Sequence, residues 1–196
     1  ACTQRPCRIQ HVVDDAERRA ATEQRVTLRS GGTDTPMYNC NFFAINDDGR
    51  VVGWSSTASP PPRYGRPHAV LWHDGVVMDL GAFNDDQSEA TAINNRGQIV
   101  GWSNTVVTCE ACSGQDTHAV LWQEGTMVDL GTLGGPYSRA HAINDRGQVL
   151  GISSTASGDE HVFVWQDGTM ADIGALMPDT YPIAINSCGD IVGQRD

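Results

Sequence analysis

The sequence predicts an all-β fold, a four-bladed β-propeller made of four-stranded antiparallel blades. Three observations predict it. A unit that begins AINxxGx and continues (V/I)(V/L)G recurs four times, and its isoleucines follow one another at intervals of 42 to 50 residues (Ile45, Ile93, Ile143 and Ile185). A second unit, which begins HAVLW in two copies and HVFVW in the third, recurs three times, at 68–81, 118–131 and 161–174. Each unit has the pattern of a hairpin, and four strands at this period are typical of a propeller blade.

The AIN unit predicts the first two strands of each blade. In SEATAINNRGQIVGWS, alternating small and β-branched residues flank Asn94-Asn95-Arg96-Gly97, and Asn and Gly suit a tight turn. The HAVLW unit predicts the third and fourth strands. In HAVLWQEGTMVDLG, two apolar runs flank Gln123-Glu124-Gly125-Thr126, with Gly where the backbone must bend.

The small residues of the first strand predict its place in the blade. Ala90, Ala92 and Ala140 allow close approach around a crowded axis, so we expect the first strand to be innermost. The MVDLG strand is then outermost. The segment LGTLGGPYS at 130–138 crosses to the centre of the next blade.

The chain is expected to be a single domain, 1–196, in which the last blade is completed by the N-terminus. Blade 1 covers about 38–81, blade 2 about 86–131 and blade 3 about 136–174. Blade 4 combines 180–196 with 8–30, where 8–13 supply the third strand and 25–29 the fourth. The alternative is that the chain forms part of a larger propeller.

The repeated residues resemble the HAF repeat of bacterial extracellular proteins. The shared pattern, H-A-(V/F)-x-W-x-x-G-x-M-x-D-L-G-T-L-G-G followed by the AIN unit, covers about residues 26–196. The chain departs from it at Val70 and Val120, where the family has Phe. The resemblance implies an exported repeat protein with a propeller fold, and it supplies no established catalytic residues to transfer.

Composition excludes several classes of function. The net charge of −11 would repel phosphate backbones, so we expect no nucleic-acid partner. Lys is absent, which excludes Schiff-base chemistry. No apolar run approaches the roughly 20 residues of a membrane span. Six cysteines and a start at Ala1-Cys2 favour a processed monomer that is secreted or periplasmic.

Residues that recur with the repeat are interpreted as structural. The histidines begin each third strand and are expected to bond a backbone group or a neighbouring blade, the tryptophans to fill the space between blades, and the aspartates to cap turns. The three sets are His68, His118 and His161; Trp72, Trp122 and Trp165; and Asp79, Asp129 and Asp172. No shared metal site is expected for the histidines.

The cysteine pair Cys109 and Cys112 is separated by two residues, as in redox and zinc motifs. A redox pair usually lies at the start of a helix in a βαβ unit, which is not predicted here, and one such pair is weak evidence for zinc. We therefore expect a local disulfide that closes the loop 104–117. Cys188 is expected to be a free thiol or to form an intermolecular bridge.

Function is expected where the copies differ, on the loops 55–67, 104–117 and 153–160 and on the blade crossovers, all of which share one face. The candidate ligand-binding residues on that face are Tyr64, Tyr137, Tyr181, Trp54, Trp102 and Asp179. Aromatic rings beside carboxylates suit a carbohydrate, a peptide or a cation such as Ca²⁺, and no cofactor is evident. The main hypothesis is an exported binding module.

Two alternatives remain at this stage. The first is an ester or glycan hydrolase whose Asp, His and Ser groups converge at the central channel, with His141, Asp85 and Asp86 as candidates. No nucleophile elbow, HExxH or phosphate loop is present, but catalytic groups can come from different blades. The second alternative is a purely structural extracellular repeat protein.

Overall fold

The computed structural model describes residues 28–30, 33–35, 38–56, 66–105, 116–174 and 180–195. This part of the chain confirms the prediction of an all-β fold with antiparallel sheets. A short 3₁₀ turn lies at Phe83–Asp85, between sheets 1 and 2. None of the described residues forms a helix long and apolar enough to cross a membrane.

Three four-stranded sheets follow one another along the chain, and a hairpin comes last. Sheet 1 comprises β3 (Tyr38–Ile45), β4 (Val51–Ser56), β5 (Pro67–His73) and β6 (Val76–Gly81). Sheet 2 comprises β7 (Ser88–Ile93), β8 (Ile99–Asn104), β9 (Thr117–Gln123) and β10 (Thr126–Gly131). Sheet 3 comprises β11 (Gly134–Ile143), β12 (Val149–Thr155), β13 (Glu160–Gln166) and β14 (Thr169–Asp172). Hairpin 4 comprises β15 (Thr180–Ile185) and β16 (Ile191–Arg195), and β1 (Leu28–Ser30) and β2 (Thr33–Thr35) form a further short hairpin.

Strand order within each sheet follows the sequence, as predicted. Each strand pairs antiparallel with the next one along the chain, and a parallel pair, Tyr137 with Thr117, joins sheets 2 and 3. The first strands of the second, third and fourth units, β7, β11 and β15, each lie against the sheet before them. Ala90 and Ala140 are completely buried on these strands, which confirms that small residues permit a close approach.

The turn after each first strand depends on its asparagine. In sheet 2 the Asn94 Oδ1 accepts hydrogen bonds from the main-chain N–H groups of Arg96 (3.1 Å) and Gln98 (2.9 Å). Gly97 has φ of 77°, which a glycine adopts without steric cost. The other units repeat this turn, so the prediction that Asn46, Asn94, Asn144 and Asn186 are turn residues is confirmed.

The same asparagines connect the units. The Nδ2 of Asn46 donates to the carbonyl O of Asn94 at 3.2 Å, and that of Asn94 donates to the carbonyl O of Asn144 at 2.9 Å. The series ends with Asn144 and the carbonyl O of Asn186 at 2.8 Å. One side chain therefore closes its own turn and binds the next unit.

Apolar cores fill the space between consecutive sheets. Between sheets 1 and 2, Val52, Leu71 and Ile93 pack with Trp122, and between sheets 2 and 3 the partly buried Trp165 packs against the corresponding cluster. The prediction that these tryptophans fill the space between units is confirmed for both. Among the residues whose side chains are described, Trp72 packs with Val51, Val70 and Val77 of sheet 1.

Each first strand contains a β-bulge opposite a glycine of the second strand. In sheet 3 the register shifts between Ala140 and Ala142, so that His141 is the extra residue. The other bulged residues are Phe43, Thr91 and Ile183. A Cβ at Gly101 would collide with the carbonyl O of Glu89, so only glycine permits this approach.

The two ends of the array leave apolar side chains exposed. Ile45 in sheet 1 is 61% exposed, whereas the corresponding Ile93 is 9% exposed. Val192 in hairpin 4 is 59% exposed, whereas the corresponding Val100 is completely buried. The positions that join consecutive units are therefore uncovered at the first and last unit.

The predicted closing blade is described only in part. Hairpin 4 supplies two antiparallel strands at its C-terminal side, as predicted. On the N-terminal side, Leu28–Ser30 pairs with Thr33–Thr35, a hairpin that the sequence analysis did not predict. Residues 8–27, which were expected to supply most of the other two strands, lie outside the described residues.

Candidate functional site

The recurring histidines each contact an aspartate on the neighbouring outer strand. The distances from Nδ1 to the carboxylate are 3.0 Å for His68–Asp79, 2.8 Å for His118–Asp129 and 2.8 Å for His161–Asp172. Each pair forms within one sheet, between the third and fourth strands, which the sequence analysis did not predict. His68 in addition has the expected backbone partner, at Asp85 in the crossover. Three equivalent pairs, one in each sheet, are a feature of the fold.

The aspartates also close the turn that leaves each sheet. The Asp129 Oδ1 accepts a hydrogen bond from the Gly131 N–H at 2.8 Å, and Asp79 and Asp172 do the same with the glycine two residues on. The prediction that these aspartates cap turns is confirmed. Both carboxylate oxygens are thus occupied, which removes these residues as general bases.

Repeated serines are occupied in the same way. Ser103 and Ser153 are fully buried, and their Oγ atoms accept hydrogen bonds from the main-chain N–H groups of Phe83 and Leu133, both at 2.9 Å. Ser88 Oγ accepts from the Ala69 N–H at 2.8 Å and donates to the Gly81 carbonyl at 2.6 Å. These hydroxyls join crossovers to sheets and are not placed as nucleophiles.

The units differ at two positions near one end of the sheets, where the chain crosses from one unit to the next. We refer to it as the crossover end. The first lies two residues before each bulge and holds Asn41, Glu89, Arg139 and Tyr181 in successive units. The second lies opposite on the second strand and holds Trp54, Trp102, Ile152 and Gln194. Because the scaffold does not require one residue type there, these positions are free to serve a ligand.

Arg139 lies over two aromatic rings at this end. Its Cζ is 4.4 Å from the ring centroid of Trp102, which lies on sheet 2, and 5.4 Å from that of Tyr137 on its own strand. Both distances are within the range of a cation–π interaction. The guanidinium thus holds together rings from two sheets, both of which were predicted ligand-binding residues.

His141 connects this group to hairpin 4. Its Nδ1 lies 3.3 Å from the Tyr181 hydroxyl, and the two rings meet edge to face with centroids 4.8 Å apart. Burial, with a smaller contribution from the Arg139 charge, lowers the pKa of His141 to about 4. The imidazole is therefore neutral at pH 7. We refer to Trp102, Tyr137, Arg139, His141 and Tyr181 as the Arg139 cluster.

Glu89 adds an acceptor beside the cluster. It pairs across the strands with Trp102, and the indole N–H donates to its carboxylate. Burial raises the pKa of Glu89, and the Trp102 hydrogen bond and the charge of Arg139 oppose that shift. The cluster thus combines aromatic faces, a cation and a partly buried carboxylate on one surface.

The structure brings together three of the six predicted ligand-binding residues, Trp102, Tyr137 and Tyr181. Trp54 is half-buried on β4, opposite Asn41. Tyr64 and Asp179 lie outside the described residues, as do Cys109 and Cys112, whose disulfide stays a prediction. Cys188 is an exposed free thiol.

The candidate catalytic residues lie in two separate groups. Asp85 approaches His68, with 3.7 Å between its Oδ1 and the imidazole Nε2, and Asp86 forms an ion pair with Arg66. His141 lies instead with Tyr181 in the Arg139 cluster. Asn84 and Asp85 both have positive φ, 54° and 56°, whereas the crossover from sheet 2 to sheet 3 has positive φ only at Gly131 and Gly134. The described contacts do not unite the three residues in one catalytic group.

Sequence reasoning did not identify Arg139 and Glu89. Both lie at the divergent position two residues before the bulge, where successive units carry an amide, an acid, a base and a phenol. Alignment of the four AIN units alone could have found them. The rings that they contact were identified because aromatic residues near loops are a stronger signal than single charges.

Within the described residues, no three His, Cys, Asp or Glu side chains are grouped so that they could hold a metal ion. The prediction that Ca²⁺ binds this face is not tested by that observation, since Tyr64 and Asp179 lie outside the described residues.

No protein-family model, curated protein or solved structure matches this chain.

Proposed function

We propose that this protein is an exported binding module that presents the crossover end of a small β-propeller to a carbohydrate. The observation that carries the proposal is the Arg139 cluster, where rings from two sheets and hairpin 4 converge at positions that the repeat does not preserve. The HAF-like repeat pattern supports export. We propose that the protein binds the carbohydrate and does not convert it.

The chemistry of the cluster suits a saccharide. Aromatic faces stack on the C–H face of a sugar ring, while a few polar groups orient its hydroxyls. Tyr181 is 53% exposed, so its ring is accessible to a ligand. Arg139 supplies donors and Glu89 an acceptor within the same surface. A bare cation is less well matched, because the cluster itself carries a cation.

A closed ring of four units is part of the same proposal. Ile45 of the first unit is exposed, and it corresponds to Ile93, which packs against Val52 and Leu71 of sheet 1. Val192 of the last unit is also exposed, and it corresponds to the buried Val52. We infer that the first and last units close on each other as consecutive units do, giving four blades, with the larger ring as the alternative. Val192→Asp should then destabilise the fold, whereas an open end would tolerate it.

Calorimetric titration with neutral and acidic oligosaccharides tests the binding function. The probes are oligomers of glucose, N-acetylglucosamine and galacturonate. We expect at least one to bind, and Tyr181→Ala to weaken its binding by about 2- to 10-fold, the range of one aromatic contact. Met78→Ala is the control, because Met78 is 46% exposed on the outer strand β6, away from the cluster, and should leave affinity unchanged.

Two results of this titration would contradict carbohydrate binding at the cluster. If none of the probes binds, or if Tyr181→Ala and Met78→Ala affect binding equally, the cluster is not a carbohydrate site.

A further inference from the structure

Arg139 has hydrogen-bonding capacity that the protein does not use. Its Nε is buried without a hydrogen-bond partner, and no carboxylate of the described residues forms an ion pair with it. A guanidinium carries five N–H donors, and a buried donor without an acceptor costs about 1–3 kcal/mol. The cation–π contacts with Trp102 and Tyr137 engage its charge, and the Nε–H has no acceptor among the described residues.

The nearby carboxylate does not take this role. Glu89 accepts the Trp102 indole N–H, and its effect on Arg139 is a longer-range attraction without an ion pair. His141 offers no charge, because its pKa of about 4 leaves it neutral at pH 7. Arg139 is therefore the one positive group of the cluster, and its donors are held in place by two aromatic rings.

We propose that Arg139 is a subsite for an oxyanion, so that the saccharide bound by this protein carries carboxylate or sulfate groups. This inference rests on the proposed carbohydrate-binding function. Parallel N–H groups of a guanidinium match two oxygens of a carboxylate or sulfate, and a charged acceptor makes the stronger kind of hydrogen bond. An acidic sugar would stack on Tyr181 and place its oxyanion against Arg139.

The net charge of −11 acts against an anionic ligand over long distances. At about 0.15 M salt the screening length is about 8 Å, so distant carboxylates contribute little and the direct contact decides the affinity. Affinities measured at several salt concentrations therefore distinguish the long-range repulsion from the direct contact with Arg139. Lower salt should weaken binding through general repulsion, whereas loss of Arg139 should weaken it at every salt concentration.

The test compares oligogalacturonate, a sulfated galactose oligomer and the neutral galactose oligomer by calorimetry on the full chain at about 0.15 M salt. We expect an acidic oligomer to bind more tightly than the neutral one, and Arg139→Gln to weaken it by about 10- to 100-fold, the value of a charge-assisted hydrogen bond. Arg146→Gln is the control, since Arg146 lies at the exposed turn of the opposite end, and it should change nothing.

Two further variants test the oxyanion subsite even if Arg139→Gln lowers the stability of the protein. Arg139→Lys keeps the charge without the planar fork and should retain part of the affinity, and Glu89→Gln removes a nearby negative charge and should tighten acidic ligands. Equal binding of neutral and acidic oligomers, unaffected by Arg139→Gln, would overturn the oxyanion subsite and leave carbohydrate binding standing. Absence of binding by all three oligomers and by the glucose and N-acetylglucosamine oligomers would instead overturn the binding function itself.

Discussion

The side-chain amide of Asn94 donates a hydrogen bond to the main-chain carbonyl of Asn144, 2.9 Å away in the next unit. The same side chain accepts two main-chain N–H groups of its own turn. A single residue thus fixes both the turn and the spacing of the units. This contact recurs between each pair of consecutive units and explains why the asparagine accompanies the repeat.

Substitution of Asn94 by Ala should destabilise the fold strongly. Asn94 is 4% exposed, and its removal leaves buried N–H and C=O groups without partners, at a cost of about 2–3 kcal/mol. Asp48→Ala is the control, because Asp48 lies in the equivalent turn of the first unit but is exposed, and it should cost less than about 1 kcal/mol. Urea denaturation measures both. Equal losses would contradict the linking role.

The glycine opposite each bulge gives a second prediction. Gly101→Ala should reduce the free energy of unfolding by more than about 3 kcal/mol, because the added methyl group collides with the Glu89 carbonyl on the paired strand. Gly125→Ala, in an open turn with φ of 76°, should cost only about 1 kcal/mol. Thermal and urea unfolding of both variants would show whether close strand approach or backbone conformation dominates.

The pair of His118 and Asp129 should make stability depend on pH. The hydrogen bond to Asp129 raises the folded-state pKa of His118, so its contribution is full below pH 6.5 and is lost as the pH rises through the raised value. Asp129→Asn should therefore reduce stability more at pH 6 than at pH 9. The control Asp48→Asn, at an exposed turn residue, should show no such difference. An NMR titration of His118 that is unchanged by Asp129→Asn would contradict this.

His141 should act in the opposite direction. Burial and then the Arg139 charge lower its folded pKa to about 4, so between pH 6.5 and 4 the unfolded chain binds a proton that the folded chain does not. Stability attributable to His141 is therefore lost as the pH falls through this window. The variant His141→Gln should lose less stability than the parent between pH 7 and 4.5. An imidazole that titrates near 6.5 by NMR would contradict the buried position.

The repeat predicted the strands, their order and the turns, since hairpins depend on local sequence. It also predicted that Asp79, Asp129 and Asp172 cap turns and therefore have a structural role. The partner of each histidine was missed, because cross-strand side-chain register depends on the bulge in the fourth strand at Asp129–Gly131 and its equivalents.

The Arg139 cluster could be predicted only in part, for a physical reason. Trp102, Tyr137 and Tyr181 were placed on one face from strand direction alone. Their convergence depends on how the first strand of one unit lies against the sheet before it, and on the bulge that turns His141 towards Tyr181. A single copy of the repeat contains no local sequence pattern that predicts either the packing angle or the bulge.

The indole N–H resonances of the five tryptophans test ligand binding at the cluster most directly. In a heteronuclear NMR titration with oligogalacturonate, the Trp102 indole should shift, because it lies under Arg139 and donates to Glu89. The resonances of Trp72 and Trp122, which are buried in apolar clusters, should stay in place. Absence of any shift at saturating oligosaccharide, or shifts at Trp72 and Trp122 without one at Trp102, would contradict the proposed site.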